Sequence, residues 1–95
     1  MTVKFKKWIC EVSKGQYGNG NTALQLYDYE GLVATATVNM GIKLPEDQAY
    51  IKDYSENEGM VSALKEAGIV VGDAISFVHS GYVEIALYKL DLSKI

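Results

Sequence analysis

The sequence predicts an α+β fold, an antiparallel β-sheet built of hairpins and packed against one α-helix. Short runs rich in β-branched and aromatic residues recur between breaks that carry Gly, Asn or Asp. Only the segment around residues 56–67 spaces its apolar residues as a helix does. Each assignable connection between strands is short enough to be a hairpin. At 95 residues, 48% hydrophobic and 22% charged, the chain amounts to one domain, 1–95.

Val3 to Val12 places Val3 and Phe5 on one parity but Trp8, Cys10 and Val12 on the other, which a strand with a bulge at Lys6-Lys7 reconciles. Gly15 to Asn21, with three Gly and two Asn, reads as a mobile hairpin loop. Thr22–Asp28 and Leu32–Val38 make the clearest hairpin. A three-residue Tyr29-Glu30-Gly31 loop pairs Leu24 with Ala36, Leu26 with Ala34 and Thr22 with Val38, and gives Gly31 a left-handed bulge position. The opposite face then sets Tyr27 beside Val33 and Gln25 beside Thr35.

Met40 to Gln48, with the single Pro45, is a connection into a short strand at Ala49–Lys52. Ser55 followed by Glu58 matches a capping box, Met60, Leu64 and Ala67 with Val61 form an apolar face, and Gly68 stands where a left-handed C-terminal cap belongs. A helix over 56–67 follows. Ile69–Val71 reads as a short extended segment ended by Gly72-Asp73. In the last hairpin, Ala74–Leu90, a three-residue His79-Ser80-Gly81 loop pairs Phe77 with Val83 and Ile75 with Ile85.

The lone Cys10 has no partner for an intramolecular disulfide, and no apolar run approaches the about 20 residues of a membrane helix. With no secretory leader visible either, a cytoplasmic chain with no membrane partner is expected. Charge divides along the sequence: residues 1–45 hold five Lys against three acids, and 46–95 four Lys against nine acids. None of the nine basic residues is Arg, which argues against sequence-specific DNA reading.

Asp53, Ser55 and Asn57 have the spacing of the first three ligands of a calcium loop, but Gly59 falls at the seventh position, not the sixth, and Leu64 stands where the bidentate Glu is required. No metal or cofactor is expected. Glu56 and Glu58, two apart on a helix, point away from each other and make a poor acid–base pair. His79 and Ser80 are adjacent in a turn with no third group to orient the ring, and Cys10 in a strand reads as a buried thiol. Gly15 to Gly20 lacks the following Lys-Ser/Thr of a phosphate loop. No catalytic residue is assigned, and the chain is read as not an enzyme.

Ten aromatics, seven of them Tyr, exceed what so small a core can hide. Tyr27, Tyr29, Tyr50, Tyr54 and Tyr82, with the acids Asp47, Asp53, Glu56 and Glu58, form the candidate protein-binding surface. Lys4, Lys6, Lys7, Trp8 and Tyr17 form the alternative, a charged and stacking surface for single-stranded nucleic acid. A solvated edge strand guarded by Lys explains the same basic residues.

The run Gly20-Asn21-Thr22-Ala23-Leu24-Gln25-Leu26, the run Ala34-Thr35-Ala36-Thr37-Val38-Asn39, the block from Ile51-Lys52-Asp53-Tyr54-Ser55 to Glu56-Asn57-Glu58-Gly59-Met60, and Ser80-Gly81-Tyr82-Val83 together resemble a small bacterial family known as domain of unknown function 4313. The resemblance covers residues 20–90, and the block at 51–60 is its most specific part. Members occur in conjugative elements and bacteriophages, so the resemblance implies a mobile-element or phage accessory protein. It implies no reaction, cofactor or partner. The expected function is therefore a non-enzymatic accessory protein that binds another protein, such as a host factor or defence component, with a homodimer also open. The alternative is a single-stranded nucleic-acid accessory, and a small metal- or nucleotide-dependent enzyme stands third.

Overall fold

A computed structural model describes residues 1–95. The fold is α+β, as expected, but its eight strands divide into two four-stranded antiparallel sheets. The first holds β1 (Thr2–Phe5), β2 (Trp8–Gln16), β3 (Thr22–Asp28) and β4 (Gly31–Thr35), in that order. The second holds β5 (Thr37–Val38), β6 (Gln48–Ile51), β7 (Val70–Ser80) and β8 (Val83–Leu90), ordered β5-β6-β8-β7. One helix, α1 (Met60–Glu66), joins the two sheets, and it is too short to cross a membrane.

The parity change in the first segment marks a hairpin, not a bulge. Phe5 pairs with Trp8 across a Lys6-Lys7 turn in which Lys6 adopts φ 53°, and Val3 pairs with Cys10 on the buried face. The turn expected over Gly15 to Asn21 is narrower, with β2 running to Gln16 and the Gly20 N–H bonding the Tyr17 carbonyl. Asn21 donates from Nδ2 to the Ile42 carbonyl at 2.7 Å and accepts at Oδ1 from the Leu44 N–H at 2.9 Å. These two bonds join the turn to the 39–44 connection.

Between β3 and β4 the expected pairs Leu26–Ala34 and Gln25–Thr35 form, but the turn is the two-residue Tyr29-Glu30 and Val33 bulges out, so Tyr27 faces Leu32. Asp28 Oδ1 accepts from the Glu30 N–H at 2.8 Å, and Gly31 takes φ 124°, open only to glycine. Thr22 does not pair with Val38, because the chain changes sheets at Ala36. Ala36 donates to the Leu24 carbonyl in the first sheet and accepts from the Lys52 N–H in the second, both at 2.8 Å. Thr37 and Val38 then pair with Ile51 and Tyr50. This corner brings Leu24, Leu26, Ala36 and Ile51 into one buried cluster between the two sheets.

The helix starts later than the pattern predicts. Ser55 does not cap it: Ser55–Asn57 is a separate 3-10 turn with Ser55 at φ 53°, and Gly59 at φ 97° precedes α1. Asp53 supplies the cap, its Oδ1 accepting from the N–H groups of Gly59 at 2.6 Å and Met60 at 3.0 Å. The C-terminus closes as expected around Gly68, with Gly68 N–H bonding the Lys65 carbonyl and Ile69 N–H the Leu64 carbonyl. Met60, Ala63 and Leu64 are buried between the sheets.

The last hairpin also turns over two residues, Gly81-Tyr82, so Ser80 pairs with Val83, Val78 with Ile85 and Phe77 with Ala86. Ile69–Val71 is not a separate segment, since β7 runs on from Val70 through an irregularity between Val71 and Ser76. The observed register buries Ile85 and Leu87 with Tyr50 under Val38, Met40, Leu44 and Tyr54, and leaves Ile75 and Phe77 outside.

Candidate functional site

The acidic and tyrosine residues do not form one surface. Tyr50 is only 4% exposed, because β6 is an interior strand and its ring fills the smaller core, so it is withdrawn as a contact residue. Asp53 is committed to capping α1. Tyr54 is half-buried, with Lys52 Nζ 5.5 Å from its ring centre. Asp47 accepts the Leu90 N–H at its carbonyl at 2.7 Å and has its carboxylate 3.8 Å from Lys89 Nζ, in a hollow with Val71 and Leu92. Tyr82 is fully exposed at the tip of the β7–β8 hairpin.

Glu56 and Glu58 stay exposed on the turn at 55–58. Glu56 Oε1 accepts from Lys52 Nζ at 2.5 Å. That hydrogen bond, above all, holds the Glu56 carboxyl below its ordinary pKa and raises that of Lys52. The Glu56 carbonyl takes Lys6 Nζ at 2.7 Å, so one basic residue of the alternative surface already rests on the acidic turn.

The basic set does not assemble either. Lys4, Lys6, Lys7 and Trp8 lie at the β1–β2 hairpin, while Tyr17 sits past the far end of β2, about 30 Å along a nine-residue strand. The Tyr17 hydroxyl is engaged with Thr37, 3.1 Å from its carbonyl and 2.9 Å from Oγ1. Trp8 stacks on Phe5 at 6.5 Å between centroids, and Lys7 Nζ lies 5.3 Å from the Trp8 ring centre.

What the fold does bring together is an apolar face on the outer side of the first sheet. Glu11 pairs with Tyr27 and Tyr27 with Leu32, and the same register carries Ile9 toward Tyr29 in the adjoining turn. Ile9 is 61% exposed, Leu32 55% and Tyr29 94%, with Tyr27 half-buried among them. Ile9, Tyr27 and Tyr29 line a hollow of about 520 Å³ with Thr2, Cys10, Glu11 and Asp28. Lys7, Asp28, Tyr29 and Glu30 rim the adjoining hollow beside Trp8. An apolar centre inside a ring of mixed charge is the usual anatomy of a protein contact. Sequence reading missed Ile9 and Leu32. The signal was there for Ile9, an aliphatic residue on the parity opposite buried Cys10.

His79 Nε2 lies 3.5 Å from Glu84 Oε2 with both side chains exposed. The Cys10 thiol is buried, and desolvation, then the nearby charge of Asp28, raises its pKa. No three His, Cys, Asp or Glu side chains converge to hold a metal. No protein-family model, no curated protein and no solved structure matches the chain.

Proposed function

We propose that the chain is a small non-enzymatic binding protein that docks another protein on the outer face of its first sheet, acting as an accessory protein of a mobile element or phage in the cytoplasm. The observation that carries this reading is the exposure of Ile9 and Tyr29 around one hollow that Tyr27 also lines, with exposed Leu32 across the ladder from Tyr27. Burying that face removes apolar area from water, and the tyrosine rings add area while their hydroxyls keep a hydrogen bond. The surrounding Lys7, Glu11, Asp28 and Glu30 would set register with the partner. The buried lone thiol of Cys10 fits a reducing compartment.

Photo-cross-linking tests it. A benzophenone amino acid in place of Tyr29 is expected to capture a defined protein from cells of the source, whereas the same probe at Glu58 captures none. Capture from position 58 alone, or of nucleic acid alone through a probe at Lys7, overturns the reading.

A further inference from the structure

We propose that the hollow beside Trp8 receives an arginine side chain of the docked partner, its guanidinium against the Trp8 ring and paired with the carboxylates of Asp28 and Glu30. This deepens the docking proposal and rests on it. In the first sheet the β1–β2 turn at Lys6-Lys7 and the β3–β4 turn at Tyr29-Glu30 lie at the same end, because successive antiparallel strands put alternate turns together. Trp8, Asp28 and Glu30 meet there and line two adjoining hollows of about 450 and 280 Å³. The larger is shared with Ile9 and Tyr29 of the docking face, and the smaller with Leu32. A partner lying on that face therefore reaches both.

Charge and ring geometry select the occupant. Asp28 and Glu30 take part in none of the ion pairs of the chain, and Lys7 is the one basic residue lining the hollow with them. Two carboxylates against one ammonium leave a negative charge uncompensated. Asp28 is half-buried and fixed in place, its Oδ1 accepting the Glu30 N–H at 2.8 Å. Trp8 is held by its stacking on Phe5, and Lys7 Nζ lies 5.3 Å from the Trp8 ring centre, so the ring already attracts the chain's own cation. A neutral side chain docked here would leave Asp28 shut away from water with no counter-charge, and an acidic one would be repelled. Between the two cations, a guanidinium fits better than an ammonium. It is planar, stacks on an indole, meets carboxylates through a fork of N–H donors and sheds its water at lower cost. Lys7, on a flexible stem, swings aside as it enters.

NMR titration of the isotope-labelled full chain with N-acetylarginine methylamide, at constant ionic strength, reads the site without the partner. Saturable shifts of the Trp8 indole N–H and of the Tyr29 and Glu30 amides are expected, with a dissociation constant on the order of 10 mM. The neutral isostere N-acetylcitrulline methylamide should bind at least about fivefold more weakly, and Lys7→Gln should tighten arginine binding about threefold. Asp28→Asn/Glu30→Gln should abolish the preference for arginine while keeping the turn, since an amide oxygen still accepts the Glu30 N–H. Equal shifts with both compounds, or an unchanged preference in the double variant, overturn the proposal. The source of the cation is read from the cross-link at Tyr29, where Asp28→Asn/Glu30→Gln should reduce the captured protein at least about fivefold. Undiminished capture overturns the arginine and leaves the docking face standing. Arginine binding with no protein captured through Tyr29 overturns the docking reading, and with it the partner as the source.

Discussion

The Lys6 ammonium donates a hydrogen bond to the main-chain carbonyl of Glu56 at 2.7 Å, across 50 residues of sequence. The β1–β2 turn and the acidic turn at 55–58 are thus one junction of mixed sign, not two opposed patches. Neither presents the single-sign field that draws a polyanion or a basic partner from a distance.

Weak affinity for polyanions follows. On heparin or an oligonucleotide column the chain should elute below about 0.1 M salt, since few phosphates can be neutralised and affinity falls steeply with salt. Retention to about 0.3 M, lost when Lys4, Lys6 and Lys7 are neutralised together, would favour the nucleic-acid reading.

The helix start depends on Asp53, not Ser55. Asp53→Ala should cost about 1–2 kcal/mol because two main-chain N–H groups lose their acceptor, while Ser55→Ala should stay within about 0.5 kcal/mol. Urea unfolding midpoints distinguish the two, and a larger loss at Ser55 would return the cap to that residue.

Two turn glycines should respond differently to asparagine. Gly81 at φ 63° lies where Asn is tolerated, whereas Gly31 at φ 124° lies where no side chain rests comfortably. Gly81→Asn should therefore be nearly neutral, and Gly31→Asn should destabilise by about 1–3 kcal/mol. Equal losses would contradict the turn assignments.

The Lys52–Glu56 pair gives a pH signature. A carboxyl held below its ordinary value of 4.5 supports the fold above that value and ceases to as pH falls through its lowered folded value. Lys52, raised from 10.5, supports the fold below that value and ceases to as pH rises through its raised one. The difference in unfolding midpoint between the wild type and Glu56→Gln should be constant across the neutral range and shrink toward zero at acid pH. A difference that grows in acid would contradict the pairing.

The elements that local chemistry dictates are legible in the sequence. Gly68 ends the helix, Met60 and Leu64 face the core, and Leu26 pairs with Ala34 because each depends on neighbours a few residues away. What escaped was decided at a distance. The switch of sheets at Ala36 needs Leu24 and Lys52 as hydrogen-bond partners, and the Asp53 cap overrides the Ser55 pattern because the turn at 55–57 is held elsewhere, by Asn57 Nδ2 on the Thr35 carbonyl at 2.7 Å. The two-residue turns escape a sequence reading because apolar pairing alone favours three-residue loops, yet Phe77 and Ile75 are exposed. For the same reason the docking face was only half visible: Tyr27 and Tyr29 stood out by type, but Ile9 and Leu32 join them only through the ladder of the folded sheet.

The central claim is that Ile9, Tyr29 and Leu32 form the surface that meets a partner, and a paired capture experiment tests it most directly. Immobilised wild-type chain, the Ile9→Lys/Leu32→Lys variant and the Asp47→Lys/Glu56→Lys variant, each checked for an unchanged circular dichroism spectrum, are offered the same lysate of the source cells and the bound proteins are quantified by mass spectrometry. A protein retained by the wild type and by the charge-reversed variant, and reduced at least about tenfold on the Ile9/Leu32 variant, is the predicted result, since truncating or charging a contact centre commonly costs that much. The same protein held by the Ile9/Leu32 variant and released by Asp47→Lys/Glu56→Lys would contradict it.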